Sequence, residues 1–321
     1  MPHEWFTWMR ANQPVFHHPE PDGPGFWVIT KHADIKTCSR DAGTFSSAAE
    51  RGGVIGIEER EGDEATAAMA GNLLIFMDPP RHTRYRKLVN RGFTPRMIGM
   101  LEPRIRELTN AMLDTALTKD PCDFVVDIAA ELPLEVICEL IGVPSEDRHK
   151  IFDWSNRLVG GEDPEYAVSE DDRMNAQLEL FAYAQGLAEQ HRGAGEDRDD
   201  IISKLLAAEP DGEALSELDF NLFVLLLSVA GNETTRNAIA HGMNAFLENP
   251  DQWELLVSDP SLIGTATEEI LRWASPVMYF RRNVTQDVQL GDVTLREGDK
   301  ITLWYSSANR DEDVFDDPFR F

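Results

Sequence analysis

Hydrophobic residues recur at helical spacing through the middle of the chain. Leu101, Ile105, Leu108 and Met112 stand three or four positions apart, which places their side chains on one face of a helix. Similar spacing elsewhere predicts a dominantly helical stretch between about residues 96 and 275. We therefore expect this part of the chain to form most of a helical core.

Strand patterns are predicted only towards the two ends of the sequence. Near the start, Gly25–Thr30 is a short run of apolar and β-branched residues. Later, Val288–Leu290 and Val293–Leu295 flank a Gly-Asp pair as in a tight hairpin, and Lys300–Tyr305 alternates after a further turn. The predicted fold class is therefore mainly α with small β-sheets. Because no linker or repeat divides the chain, residues 1–321 are predicted to form a single domain.

The longest predicted helix lies in the second half of the chain. Ser216, with Asp219 three positions later, is a credible N-cap, and Asn249-Pro250 is a clear stop signal. The helix between them would have about 33 residues and a length of roughly 50 Å. Residues 222–230 are apolar on every face, so this part of the helix is expected to be buried on all sides.

The centre of this helix breaks the rules that make helices stable. Gly231 costs about 1 kcal/mol relative to alanine, Glu233 places a carboxyl beside an apolar run, and the hydroxyls of Thr234 and Thr235 can bond back to carbonyls one turn earlier. One interpretation is a simple kink with Glu233 turned to solvent. We favour a pocket for a small ligand with a proton supply, because such exceptions concentrate at functional sites.

A basic segment follows Asp78-Pro79, which has the pattern of a helix start. His82 and Arg86 would lie on one face of this helix. Between residues 81 and 106 the only acid is Glu102, and the basic residues are Arg81, Arg84, Arg86, Lys87, Arg91, Arg96, Arg104 and Arg106. The segment is either a solvated basic face or an anion site with a docking surface for an acidic partner, and we favour the second interpretation.

Two further pairs of polar residues carry a weaker signal. Glu269 and Arg272 stand three apart in a predicted helix, where such pairs are common and contribute only a few tenths of a kcal/mol. Arg281 and Arg282 enter a predicted strand behind an apolar run. They are either surface residues, or one of them points inward at a carboxylate.

The composition restricts the possible partners and compartment. The net charge of -27 argues against nucleic acid or an anionic membrane as a partner. Cys38, Cys122 and Cys138 are odd in number and widely spaced, which favours free thiols in a reducing compartment. No signal peptide is evident, and the longest apolar run is too short to span a bilayer. We therefore expect a soluble, cytoplasmic protein.

Taken in chain order, these motifs resemble those of the cytochrome P-450 superfamily, the haem-thiolate monooxygenases. Ala230-Gly231-Asn232-Glu233-Thr234-Thr235 is similar to the family's oxygen-activation signature, and Glu269-x-x-Arg272 is similar to its ExxR motif. Four other residues match the family pattern: His82, Arg86 and Arg282 where the family binds haem propionates, and Arg320 where an arginine completes a structural cluster with Glu269 and Arg272. The matches run in the family's order along nearly the whole chain.

The resemblance implies a cytochrome P-450 fold, a haem b cofactor containing iron, and a defined set of roles. Dioxygen would bind beside Ala230 and Gly231, Thr234 would stabilise it, and Glu233 would relay protons. Val277 and Met278 would lie near an apolar substrate, with residues 46–75 as a pocket wall and about 150–192 as a lid. A ferredoxin-type electron donor would dock on the basic face at 81–106.

One departure from the family concerns the iron ligand. The family's ligand is a cysteine in a Phe-x-x-Gly-x-x-x-Cys-x-Gly loop that follows the segment similar to Asp317–Phe321. Cys38, Cys122 and Cys138 stand in other contexts, so we expect no metal ligand in this chain and a cysteine beyond Phe321. Residues 1–321 are thus expected to be a C-terminally incomplete cytochrome P-450, truncated before the cysteine loop and inactive as written.

Two functions remain open at this point. The first is a monooxygenase that hydroxylates an apolar substrate. Its sequence segments most resemble those of the bacterial branch that oxidises steroid or branched-lipid side chains. The second is a non-catalytic fragment that binds a hydrophobic ligand or partner without functional haem. The DNA that follows the Phe321 codon distinguishes them, because an open frame with the cysteine loop supports the enzyme.

Overall fold

The computed structural model describes residues 1–321 apart from Asp22 and the segments 58–70, 160–168, 195–200 and 207–214. At a few further helix positions, Arg91 among them, it describes only the backbone. The chain forms two compact units. The first contains Met1–His82 and His241–Phe321, and the second contains Thr83–Ala240.

Helices dominate the described residues, in agreement with the predicted fold class. In chain order they are α1 (His3–Asn12), α2 (His32–Arg40), α3 (Arg81–Gly92), α4 (Pro95–Ala116), α5 (Glu131–Leu140), α6 (Arg148–Val159), α7 (Glu170–Ala194), α8 (Ile201–Leu206), α9 (Glu217–Glu248), α10 (Pro250–Ser258), α11 (Ile263–Ala274) and α12 (Tyr305–Ala308). A π-helical turn, Val125–Ala129, precedes α5.

The strands of the first unit come from both ends of the sequence and form two sheets. They are β1 (Val15–His18), β2 (Phe26–Ile29), β3 (Phe45–Ser46), β4 (Tyr279–Val284), β5 (Val288–Leu290), β6 (Val293–Leu295) and β7 (Lys300–Trp304). The larger sheet has the order β1-β2-β7-β4-β3, with β2 and β7 parallel and the other pairs antiparallel. The predicted hairpin is confirmed as the antiparallel pair β5 and β6.

Two apolar clusters are formed by the two faces of the larger sheet, because successive side chains of a strand point to opposite faces. On one side, Ile29 and Leu303 are fully buried with Cys38 of α2. In the other cluster, Val28 packs with Phe6 of α1. The sheet is therefore packed by a helix on each alternate set of side chains.

The second unit is helical, as the spacing of its apolar residues predicted. Helix α5 contacts α4 and α6, and α6 contacts α7. The buried side chains of this unit include Leu134 and Ile137 on α5, Ile151 on α6, and Leu180 on α7. Their recurrence at helical spacing gives each helix an apolar stripe to bury against its neighbours.

The predicted start signals of two helices are confirmed, with one difference. Before α9, the hydroxyl of Ser216 accepts a hydrogen bond from the backbone N–H of Asp219 at 3.1 Å. Before α3, the carbonyl of Asp78 accepts from the backbone N–H of His82 at 2.9 Å. The Asp78 carboxylate accepts hydrogen bonds from the hydroxyl of Ser46 and the N–H of Ser47, which lie outside this helix.

Candidate functional site

The polar centre of α9 keeps its helical form. Helix α9 runs from Glu217 to Glu248 without interruption, so Gly231 and the two threonines do not break it. The hydroxyl of Thr234 donates to the carbonyl of Ala230 at 2.8 Å, which is the predicted bond to the preceding turn. Its oxygen keeps lone pairs that can accept a second hydrogen bond.

Glu233 forms an ion pair on the same helix. Its Oε1 atom lies 2.7 Å from Nη2 of Arg236, and the amide of Asn237 donates to the same oxygen at 3.4 Å. The Glu233 side chain is 37% exposed and that of Arg236 only 12%. The carboxylate is thus held by a mostly buried cation while still in contact with solvent.

An apolar cavity of about 480 Å³ borders the centre of α9 within the second unit. Residues of α9 that line it include Ala230, Gly231 and Thr235. The facing side chains come from α4, α5 and the segment before α4, and they include Phe93, Ile105, Leu132, Val136 and Ile137. A volume of this size lies in the range of small-molecule sites, which are commonly apolar with a few polar groups.

The missing side chain at Gly231 is used for close packing. A Cβ atom there would lie 2.9 Å from Cδ1 and 3.3 Å from Cγ1 of Ile137. The glycine therefore allows α5 to approach α9, in addition to lining the cavity. The role of Ile137 was not predictable from local patterns, because this contact joins helices far apart in the chain.

The residues of the basic segment differ in their surroundings. His82 is half-buried and Arg86 is exposed, four positions apart on α3. Arg106 pairs with Glu102 at 3.0 Å. Arg104 pairs with Glu107 of α4 at 2.9 Å and with Glu139 of α5 at 3.5 Å. Lys87 and Arg96 are exposed. The side chain of Arg91 lies outside the described residues.

Glu269 and Arg272 form a bidentate ion pair in the first unit. Nε and Nη2 of Arg272 each lie 2.6 Å from a carboxylate oxygen of Glu269. The same guanidinium donates to the carbonyls of Asn309 at 2.9 Å, Pro318 at 2.8 Å and Arg320 at 3.1 Å. Arg320 thus takes part through its backbone oxygen, while its side chain is exposed. This arrangement fixes the end of the chain against α11.

A second arginine of this cluster, Arg310, was not predicted from the sequence. Arg310 is buried and donates to the carbonyls of Arg272 and Trp273, both at 2.9 Å. Its guanidinium lies 4.5 Å from the ring centroid of Trp273. Burial, followed by the nearby charge of Arg272, lowers the pKa of Arg310 to about 10. No local pattern indicates this role, because the bonds go to the last turn of α11.

The paired arginines of β4 have different environments. Arg281 is buried, and its Nε donates to the side-chain oxygen of Asn283 at 2.9 Å. Arg282 is half-buried and donates to the carbonyl of Arg281 at 2.7 Å. Just before the strand, Val277 is half-buried and Met278 is exposed. The predicted wall at 46–75 and lid at 150–192 fall partly outside the described residues, at 58–70 and 160–168.

Solved structures with this fold are cytochromes P450. A cytochrome P450 of Mycobacterium marinum in complex with pseudoionone has a TM-score of 0.89 and 36% identity, covering 99% of this chain and 78% of that chain. A cytochrome P450 of Bacillus megaterium in complex with testosterone has a TM-score of 0.82 and 32% identity, covering 99% and 79%. The described helices and sheets therefore define a cytochrome P450 fold.

Curated relatives extend the match to sequence and activity. A steroid C26-monooxygenase of Mycolicibacterium smegmatis is 43% identical over 327 residues, which covers 100% of this chain and 75% of the relative. A methyl-branched lipid omega-hydroxylase of Mycobacterium tuberculosis is 40% identical, covering 98% and 74%. The model of the family Cytochrome P450 matches residues 262–321. This chain belongs to the cytochrome P450 family and is a monooxygenase of that family.

Haem is the cofactor of this family, and the residues present fit it in part. The apolar wall at Ala230 and the cations of α3 suit a flat apolar group that carries carboxylates. The three cysteines do not suit its iron, which needs a thiolate. Burial raises the pKa of Cys38 and of Cys138 to about 12, and the pKa of exposed Cys122 is also raised, first by desolvation and then by Asp127. None of them favours the ionised form.

Membrane insertion by a helix finds no support in the part of the chain that the structure describes. None of the helices there combines the length and the apolar character that crossing a bilayer requires.

Proposed function

We propose that this protein hydroxylates an unactivated C–H bond of an apolar substrate of the steroid or branched-lipid class, with O2 and electrons from a ferredoxin-type donor. The observation that carries the proposal is the polar centre of α9, where Glu233 and Thr234 lie beside residues that line an apolar cavity. The named activities of the relatives, a steroid monooxygenase and a lipid hydroxylase, support the substrate class. A cytoplasmic location is part of the same proposal.

Haem b, when bound, supplies the oxygen-activating chemistry of this family. In our proposal His82, Arg86 and Arg282 hold its carboxylates, because cationic and N–H groups are strong donors to carboxylates. Ala230 and Gly231 offer no bulky side chain that would obstruct it. The thiolate ligand would come from none of Cys38, Cys122 and Cys138, and this chain spans 75% of the length of the steroid C26-monooxygenase to which it is similar.

Glu233 and Thr234 would move protons during the reaction. The Glu233 carboxylate is open enough to take a proton from solvent. The hydroxyl of Thr234 donates a hydrogen bond to the carbonyl of Ala230. Its lone pairs can accept a further hydrogen bond, and after a rotation about χ1 the hydroxyl can donate to another acceptor. A positioned acid of this kind contributes about 10²- to 10⁴-fold to a rate. Val277 and Met278 would contact the substrate.

The electron donor would be an acidic ferredoxin at the basic segment 81–106. Lys87 and Arg96 are exposed there. The remaining surface of a chain with net charge -27 repels an acidic partner, so this segment would direct its approach. Arg104 and Arg106 already pair with acids and would contribute less than the exposed residues. Salt should weaken such an association strongly.

The experiment uses the protein as its open reading frame encodes it, supplied with haem. A reduced carbon-monoxide spectrum with the thiolate-type Soret band supports the monooxygenase, and a spectrum without this band would contradict the proposal. Turnover of a cholestane-type steroid ketone and of a methyl-branched fatty acid, followed by mass spectrometry, decides between the two substrate classes. In Thr234→Ala the haem content should be unchanged while electron consumption is uncoupled from product, whereas Thr234→Ser should retain coupling.

A further inference from the structure

A second apolar cavity, of about 570 Å³, lies entirely within the first unit. Its walls come from α1, from β1 and β2, and from β7, and they include Phe6, Phe16, Phe26, Val28 and Trp304. The cavity at the centre of α9 is lined by second-unit residues, so the two do not share a wall. Neither the activity nor the motifs of the sequence account for the first-unit cavity.

The floor of this cavity is held in place by ring contacts. Phe6 lies 5.2 Å from Trp304 between ring centroids, and the Trp304 indole N–H donates to the hydroxyl of Thr302 at 2.9 Å. Phe26 stacks on His18 with centroids 5.0 Å apart and the rings 15° from parallel. Because these rings are fixed by packing, a ligand would meet a preformed surface and lose little free energy to ordering it.

The rim consists of two tryptophans on the first helix. Trp5 and Trp8 stand three positions apart on α1 and are 69% and 53% exposed, whereas Phe6 and Met9 of the same helix are buried. Tryptophan is a frequent energetic centre of binding surfaces. Two exposed indoles beside an apolar cavity therefore point to a molecule that covers them, since exposed apolar patches commonly mark binding sites.

The polar groups at the cavity select among apolar ligands. Besides the indoles, Glu4 and His18 are the lining side chains that carry polar groups able to form hydrogen bonds with a ligand. Nδ1 of His18 lies 2.9 Å from the carbonyl of Pro19, which can only accept, so this contact selects the tautomer with its proton on Nδ1, in which Nε2 is an acceptor. An ionised Glu4 also only accepts and repels anions. A ligand hydroxyl suits both groups, and a ligand carboxylate does not.

We propose that the cavity of α1, β1, β2 and β7 is a second binding site for an uncharged apolar alcohol of sterol size. Its volume falls in the range that encloses small ligands. The site goes beyond the proposed hydroxylation and does not depend on it, because every residue that carries the argument lies in the first unit.

The test is equilibrium dialysis with tritiated cholesterol, followed in parallel by the haem spectrum of the loaded protein. We expect one equivalent of cholesterol per chain that is bound independently of any change in the haem spectrum. Trp5→Ala and Trp8→Ala should each weaken this equivalent about tenfold, the loss expected on truncating a central aromatic contact. Trp253→Ala is the matched control, because Trp253 is 45% exposed on α10 and does not line the cavity.

His18→Phe tests the hydrogen bond separately from the stacking. The new ring can still stack on Phe26, but it has no acceptor, so the preference for cholesterol over cholestane should fall about fivefold. Stearate should compete poorly with cholesterol for binding to the wild-type protein. Circular dichroism of each variant confirms the fold, and since Trp5 and Trp8 are exposed, their truncation should leave the thermal transition nearly unchanged.

Three results would overturn the proposal. One is the absence of saturable cholesterol binding apart from that seen in the haem spectrum. Another is unchanged binding in the Trp5→Ala, Trp8→Ala double variant. The third is that the wild-type protein sediments with phosphatidylcholine vesicles but does not bind dispersed cholesterol, and that the double variant no longer sediments. This result would mean that the two tryptophans contact a membrane. The haem spectrum and turnover would be untouched in each case, so failure here is distinguishable from failure of the proposed function.

Discussion

Glu233 and Arg236 form an ion pair of 2.7 Å three residues apart on α9, and Thr234 follows Glu233 in the sequence. The mostly buried guanidinium holds one carboxylate oxygen of Glu233, to which the Asn237 amide also donates. Arg236 and Asn237 thus hold the Glu233 carboxylate in one orientation on α9.

Replacing Glu233 with glutamine should slow proton delivery while preserving the size of the side chain. We expect Glu233→Gln to lower product formed per electron consumed by about 100-fold, the lower end of the range of about 10²- to 10⁴-fold that general acids contribute. The measurement is product against reduced nicotinamide consumed. Glu248→Gln, an exposed acid at the end of the same helix, is the control and should be unchanged. Equal coupling in both variants would remove Glu233 from the relay.

Gly231→Ala should destabilise the protein although alanine is the better helix former. The new methyl group would meet Cδ1 of Ile137 at 2.9 Å, and overpacking of this kind costs about 1–3 kcal/mol against a gain in helix propensity of about 1 kcal/mol. Urea unfolding measures the difference. Ile137→Val removes the clashing methyl and should restore most of the loss in the double variant.

Gly186→Ala on α7 is a matched control for this prediction. A Cβ at Gly186 would meet nothing within 4 Å, so only the helix-propensity gain applies and stability should rise by up to about 1 kcal/mol. If Gly231→Ala were as stabilising as Gly186→Ala, the close approach of α5 to α9 would not exist in solution.

Features set by neighbouring residues were predictable from the sequence, and those set by distant ones were not. The cap at Ser216 and the hairpin of β5 and β6 depend on local hydrogen bonds and turn chemistry, and both are confirmed. The parallel pairing of β2 with β7 joins strands from opposite ends of the chain, and no local pattern encodes it. For the same reason Ile137 and Arg310 escaped notice, since each acts on an element distant in sequence.

Glu269→Ala should destabilise the first unit more than its exposure suggests. The Arg272 guanidinium would keep its carbonyl contacts but lose both 2.6 Å bonds to the carboxylate, and Arg310 would add a like charge nearby. Removing one partner of a partly buried ion pair costs on the order of 2 kcal/mol. We expect a lower thermal transition and little haem-loaded protein, measured by calorimetry and by haem yield.

Glu268→Ala provides the control, because Glu268 is the exposed neighbour of Glu269 on α11. Its removal should change stability by less than about 0.5 kcal/mol. A normal yield of haem-loaded Glu269→Ala protein would contradict the structural role. Arg310→Lys extends the test, since lysine cannot bond two carbonyls at once in the planar geometry of a guanidinium and should lose stability too.

Buried thiols should make the protein less stable at alkaline pH. Burial raises the pKa of Cys138 in the folded state from 9.0 to about 12, with Glu135 as the next cause. Stability from this thiol is therefore complete below about pH 9 and is lost as the pH rises towards 12, because only the unfolded chain ionises there. Cys38 behaves alike, with Asp34 as its second cause.

The pH prediction is tested by urea unfolding of wild-type and Cys138→Ala protein at pH 8 and pH 10. Wild-type protein should lose about 1 kcal/mol more than the variant between the two conditions, since each unit above the unfolded pKa is worth at most about 1.4 kcal/mol per thiol. The variant starts from a lower stability because the substitution leaves a small void, so the comparison is between slopes. Equal changes of stability with pH in the two proteins would mean that Cys138 ionises as easily in the folded state as in the unfolded state, and that its burial does not protect the thiol.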